Sequence, residues 1–255
     1  MRPEPEGVAS GPSVDTVDVV PISGGSFVLW VEHRVREGRC PLYDHGPRPV
    51  TLAPYALGRY PVTNDQYAVF LAASGYRPDD ARNFLRHWEG GKPPMGRGNH
   101  PVVWVSPRDA EAYVAWAGLR LPSDEEWQWA AQGGVYQAWP WGERFDPGRC
   151  NGSGRGTSPI DAFPSGATLH GCLDMVGNVW EWTMPEYDDG WHRWRLLRGG
   201  SYYEAQGSVW YAEGGPCRVD AHLRFLLMGE GLNRCATVGF RCAADGPIDG
   251  MGAGL

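Results

Sequence analysis

The chain has 255 residues, 23 of them Lys or Arg and 30 Asp or Glu, for a formal charge of −7. That length suits one domain with extended loops. The absence of a basic run and of any recognisable nucleic-acid motif argues against a nucleic-acid partner, and no apolar stretch approaches the roughly 20 residues of a membrane span. A hydrophobic fraction of 42% with 21% charge excludes a disordered chain, while 36 Gly and 22 Pro predict short elements joined by many ordered loops.

Residues 1–15 read as a disordered tail. They carry Pro, Glu and Ser where a signal peptide needs an apolar core, so a cytoplasmic location is the simplest expectation. A single domain then spans 16–245, and 246–255 form a flexible tail. Asp18–Phe27 predicts a strand, a glycine turn and a second strand through Val31. Pro49–Leu57 is another extended piece. Three helices have explicit start signals. Thr63-Asn64-Asp65-Gln66 is a capping box, followed by Tyr67, Phe70 and Leu71 on one face. Ser106-Pro107-Arg108-Asp109 starts the second helix, whose apolar positions 110, 113, 114 and 117 recur at helical spacing before Gly118. Ser123-Asp124-Glu125-Glu126 starts the third, with three acids at the positive end of the helix dipole and a stop at Gly133-Gly134. His222–Met228 fits a strand or a helix, and periodicity does not choose.

Six cysteines (Cys40, Cys150, Cys172, Cys217, Cys235, Cys242) show no CxxC spacing, so a zinc site has no support. A Cys217–Cys235 pair is compatible with spacing alone. The seven histidines, His33, His45, His87, His100, His170, His192 and His222, lack HxxxH spacing. A three-histidine iron site from distant positions is the route by which such a chain would act as an oxygenase. The bland reading of surface or hydrogen-bonding histidines stands beside it.

Seven segments in order carry a family resemblance: Tyr60-Pro-Val-Thr-Asn-Asp-Gln-Tyr67, His100-Pro-Val-Val-Trp-Val-Ser106, Trp116-Ala-Gly-Leu-Arg-Leu-Pro-Ser-Asp-Glu-Glu-Trp127, Trp139-Pro-Trp-Gly142, Asp174-Met-Val-Gly-Asn-Val-Trp-Glu-Trp182, Leu197-Arg-Gly-Gly-Ser201 and Val238-Gly-Phe-Arg-Cys242. Together they resemble the formylglycine-generating-enzyme (sulfatase-modifying factor) family. The resemblance implies an α+β fold, the family's loop-rich variant of the C-type lectin fold. It also implies a chemistry: oxidation of a sulfatase cysteine by oxygen at copper(I), held by two cysteines just after the Gly-Gly-Ser motif. Here the matching places hold Glu204 and about Val209, so copper and formylglycine generation are not expected. Cys242 matches a structural cysteine of the family, but the usual partner position carries Val114. One calcium is implied, held by side chains at Asp174 and Glu181 and by backbone carbonyls at Gly177 and Val179. The structural alternative is a salt bridge at Glu181 and a turn cap at Asp174. The family's second calcium loop is truncated between Asn151 and Pro159.

The resemblance places a ligand groove beside the segment after Ser201, with Tyr202, Tyr203, Glu204, Ser208, Trp210 and Tyr211 as candidates. Rings with polar edges suit a peptide, protein or small-molecule ligand, although any one ring could instead fill the core. Two functions follow: a non-catalytic binding or accessory module, which is preferred, or a metal- and oxygen-dependent oxidase using a non-cysteine site.

Overall fold

The computed structural model describes residues 17–33, 42–204 and 215–246. The tails expected at both ends, and the candidates Ser208, Trp210 and Tyr211, lie outside the described residues. The chain starts with a bent two-stranded ribbon. β1 (Val19–Ile22) pairs antiparallel with β5 (Tyr55–Gly58), and β2 (Gly25–Leu29) pairs with β4 (Arg48–Leu52); β3 (Glu32–His33) follows β2. The extended piece expected from Pro49 to Leu57 is therefore two strands, broken at Ala53-Pro54. The bend has a steric cause: a Cβ on Gly24 would lie 2.3 Å from the Leu52 carbonyl oxygen.

All three expected helices form where their caps begin. α1 (Asn64–Ser74), α2 (Pro107–Trp116) and α3 (Asp124–Gln132) each carry a complete capping box, from Thr63/Gln66, Ser106/Asp109 and Ser123/Glu126. Left-handed glycines end α1 at Gly75 and α3 at Gly133. Tyr67 and Phe70 of α1 pack on Tyr113 of α2 at ring-centroid distances of 5.7 and 5.4 Å, and Phe240 closes on Tyr67 and Tyr113 at 6.4 and 5.5 Å. Trp127 of α3 joins a second cluster with Ile22, Leu57 and Met175.

The C-terminal half supplies β6 (Trp180–Trp182), β7 (Tyr187–Asp188), β8 (Arg193–Arg198), β9 (Ala221–Leu227), α4 (Glu230–Asn233), β10 (Val238–Gly239) and β11 (Ala243–Asp245). Five strands run in the order β10-β6-β8-β9-β3, with β7 also on β8, and β11 returns to β5. The ambiguous His222–Met228 run is thus mostly strand, because its backbone pairs with β8 over five positions.

Long loops leave many carbonyls without a ladder partner, and buried arginines fill that role. Arg198 pairs with Asp124 and donates to the Val219 and Ala221 carbonyls. Arg234 pairs with Asp109 and donates to the Asp80 and Arg82 carbonyls. Arg241 pairs with Glu181 and donates to the Gly58 and Leu173 carbonyls. All three guanidiniums are fully buried, so each is matched by a carboxylate.

Candidate functional site

The site is built where the turn leaving β8 meets the loop before β6. The turn requires two glycines. Gly199 (φ 90°) and Gly200 (φ 83°) are both left-handed, and a Cβ on Gly200 would lie 2.2 Å from the Gly215 carbonyl oxygen. Ser201 N–H then donates to the Gly215 carbonyl at 3.0 Å, Gly215 N–H to the Tyr203 carbonyl at 2.6 Å, and Cys217 N–H to the Gly199 carbonyl at 3.0 Å. These bonds close a stem from which the groove segment departs. Tyr202 N–H donates to the Asn178 carbonyl at 3.0 Å and ties the stem to the loop before β6.

Tyr202 is half-buried, and its hydroxyl donates to the Ala236 carbonyl at 3.4 Å. Burial raises its pKa, and neighbouring Cys235 adds to the rise. Tyr203 is 52% exposed and Glu204 is exposed. Of the groove candidates described, two therefore face solvent and one is a wall.

The loop before β6 is tightly specified. Asp174 (φ 53°), Gly177 (φ 76°) and Asn178 (φ 58°) are left-handed. A Cβ on Gly177 would lie 2.5 Å from the Asn151 carbonyl oxygen. Asn178 orders its surroundings: its amide donates to Asp174 Oδ2 at 2.8 Å and to the Ser158 carbonyl at 3.2 Å, and its oxygen accepts from Ser158 N–H at 2.9 Å. Residues of the 151–159 loop thus close on Asn178.

The implied calcium ligands divide into two groups. Asp174 is buried, and burial pushes its carboxyl up to about 7. Among the described residues it has no ion pair, and neither the Gly177 nor the Val179 carbonyl accepts a hydrogen bond. A buried carboxylate and two carbonyls without a hydrogen-bond partner among the described residues are oxygen donors of the kind a hard cation takes. Glu181 differs. Arg241 holds it at both oxygens, 2.6 and 2.7 Å, and Trp127 Nε1 donates to Oε2 at 2.8 Å. The salt bridge considered for Glu181 is present, and Oε1 alone keeps capacity for a further partner.

The thiols of Cys150, Cys172, Cys235 and Cys242 offer no reactive pair. Cys150, Cys172, Cys235 and Cys242 form no disulfide, so the Cys217–Cys235 bridge that spacing allowed is not made. Burial raises all four, Cys172 to about 11 and both Cys150 and Cys242 to about 12. A thiol held that high is not a thiolate at neutral pH. Among the described residues, no three His, Cys, Asp or Glu side chains cluster as a metal centre. The histidines that converge are His45 and His222, whose rings lie 5.3 Å apart inside the core.

Sequence reasoning missed a polar flank. Arg97 lies near Tyr202, His87 and His100; burial first, and then its charge, lowers both histidines, His87 to about 4. His100 Nδ1 contacts Thr157 Oγ1 at 3.0 Å. No spacing rule joins residues 97, 100, 157 and 202; only the fold brings them together.

A loop-rich α+β domain of this connectivity is the formylglycine-generating-enzyme variant of the C-type lectin fold. The sequence matches the sulfatase-modifying factor enzyme 1-like domain over residues 6–246, and the chain belongs to that family. It is 33% identical to the inactive C-alpha-formylglycine-generating enzyme 2 of Bos taurus, with 90% of this chain and 88% of that protein covered. It is 32% identical to the formylglycine-generating enzyme of Thermomonospora curvata, with 96% of each covered. Among solved structures, PvdO from Pseudomonas aeruginosa superposes with a TM-score of 0.63 at 24% identity, covering 89% of this chain and 93% of that one. CarF superposes at 0.62 and 22% identity, covering 91% and 99%. A relative named as an enzyme and one named as inactive stand at almost equal identity, so overall similarity does not assign activity and the residues of the site must.

Proposed function

We propose that this chain is a non-catalytic, ligand-binding or accessory member of its family. One observation carries the reading: Glu204, exposed, occupies the place where the resemblance expects the first thiolate, and the described cysteines Cys150, Cys172, Cys235 and Cys242 have raised pKa values. Copper(I) prefers soft thiolate ligands, and a carboxylate is a poor substitute. The groove beside Tyr202 and Tyr203, flanked by Arg97 and His100, takes a peptide or small polar ligand by ring contact and hydrogen bonding.

Calcium belongs to this proposal as a structural ion. Asp174 and the carbonyls of Gly177 and Val179 would hold it, with Glu181 Oε1 as the remaining donor. Its charge would offset the buried Asp174 carboxylate and rigidify the loop on which Tyr202 rests.

The test uses a sulfatase-type peptide containing a CxPxR motif. With copper(I) and oxygen supplied, the purified protein is expected to leave the peptide mass unchanged. Loss of mass at the peptide cysteine, dependent on both copper and oxygen, overturns the proposal in favour of the oxidase.

A further inference from the structure

A second surface, sharing no residue with the Tyr202 groove, lies along β2. β2 is hydrogen-bonded to β4 and to nothing else among the described residues. Its partner edge is blunted, since β4 carries Pro49 opposite Val28. A proline in a ladder turns its missing N–H outward. That places Phe27 and Val50 in the hydrogen-bonded pair and points the N–H and C=O of Ser26 and Val28 away from β4. The short 2.7 Å contact between Ser26 Oγ and Thr51 Oγ1 agrees, because side chains approach most closely in the non-hydrogen-bonded pairs. The β2 edge carries no charge and no proline, the devices that ordinarily protect an open edge.

Beside this edge is a cleft of about 480 Å³. Phe27 and Trp129, 5.2 Å apart, line its floor, and Gly134, Val135 and Tyr136 wall its far side. None of the lining residues is charged. Val28, Val135 and Tyr136 are 63%, 60% and 61% exposed, a concentration of bare apolar surface that marks an interaction site. The buried Gln132 amide also lines the cleft, and its side-chain partners are distant, at 3.4 and 3.5 Å.

We infer that this cleft binds an extended, uncharged peptide segment, which adds to β2 as a third strand and lodges an apolar side chain over Phe27 and Trp129. The outward amides of Ser26 and Val28 demand a strand, the uncharged lining disfavours a charged one, and the aromatic floor asks for alternate apolar residues. The cleft volume is that of a ligand pocket, roughly 300–1,000 Å³.

The experiment uses a fluorescently labelled, terminally capped six-residue peptide of alternating valine and threonine. Two further forms are N-methylated on one or the other alternate set of amides. Binding is read by fluorescence anisotropy. Strand addition uses only one edge of the peptide, so one methylated form should bind at least tenfold more weakly and the other about as well as the parent. Val28→Pro should weaken the parent peptide at least tenfold with melting unchanged, since the lost N–H points outward. Tyr136→Ala, at an exposed side chain, gives a second readout should Val28→Pro perturb folding. Equal binding of the two methylated forms, or no binding of any form, overturns the inference. So does a concentration-dependent dimer in light scattering that Val28→Pro abolishes, because it would give the edge to a second copy. A failure here leaves the Tyr202 groove untouched, since none of Tyr202, Tyr203, Arg97 and His100 lines this cleft.

Discussion

Two carboxylates seven residues apart, Asp174 and Glu181, are both buried, yet they are held in opposite ways. Glu181 is neutralised by a two-pronged arginine and a tryptophan N–H. Asp174 has one side-chain amide and no cation among the described residues. Burial costs a carboxylate the same in either place, and the difference lies in what compensates it. At Glu181 the protein supplies the charge itself and gains three anchored loop carbonyls through Arg241. At Asp174 the compensation is left to a proton or, on the proposal above, to calcium. Structural rigidity and responsiveness to solution conditions are thus separated between β6 and the loop that leads into it.

The largest effect is expected at the self-compensated end. Arg241→Met strands Glu181 in the core and releases the Gly58, Arg59 and Leu173 carbonyls. Breaking a buried pair from one side costs about 3–5 kcal/mol, which lowers Tm by roughly 10 °C in a domain of this size. Replacing both partners, Arg241→Met with Glu181→Gln, should recover part of the loss. A calorimetric scan showing the single variant within 3 °C of wild type would mean that the pair is not what holds these loops.

Asp174 should respond to pH with a defined sign. Burial raises its folded pKa to about 7, above the ordinary value of 3.8. The folded state therefore binds the extra proton, and this favourable contribution is complete below pH 4 and lost as pH rises through 7. At pH 8 without calcium the charged carboxylate costs on the order of 4 kcal/mol. Asp174→Asn should abolish that decline and be the more stable protein at pH 8. Millimolar calcium should raise the melting temperature of wild type at pH 8 and leave Asp174→Asn unmoved. Identical melting in calcium and in chelator refutes the calcium proposal, while the pH comparison still reports on the carboxylate.

The smallest effect on stability is expected where neither form of compensation operates. Tyr203 projects from the stem into solvent, so Tyr203→Ala should change stability by less than about 0.5 kcal/mol. As a groove anchor it should nevertheless weaken binding of the CxPxR peptide by about 2 kcal/mol, measured by anisotropy. A large drop in melting instead would make the ring structural. Tyr202→Phe, which removes one long hydrogen bond to the Ala236 carbonyl, should fall between, at about 1 kcal/mol.

The local start and stop signals were readable from sequence because their physics is local. Each capping box is closed by residues three apart, and each left-handed stop needs only glycine. The family, and with it the fold, was legible from seven segments in order, which the match over residues 6–246 bears out. The strand character of 222–227 was not, since an apolar run becomes a strand or a helix according to what it pairs with, and β8 decided it. The three buried arginines were equally invisible: Arg198–Asp124, Arg234–Asp109 and Arg241–Glu181 are separated by 60 to 125 residues. Sequence named Asp174 and Glu181 together as calcium ligands, with a salt bridge at Glu181 and a turn cap at Asp174 as the alternative, and only tertiary packing brought Arg241 to Glu181 and left Asp174 an unmatched acid among the described residues. The reason is that charge and residue type travel with the chain, whereas desolvation, and the partner that offsets it, exist only once distant segments have closed around the group.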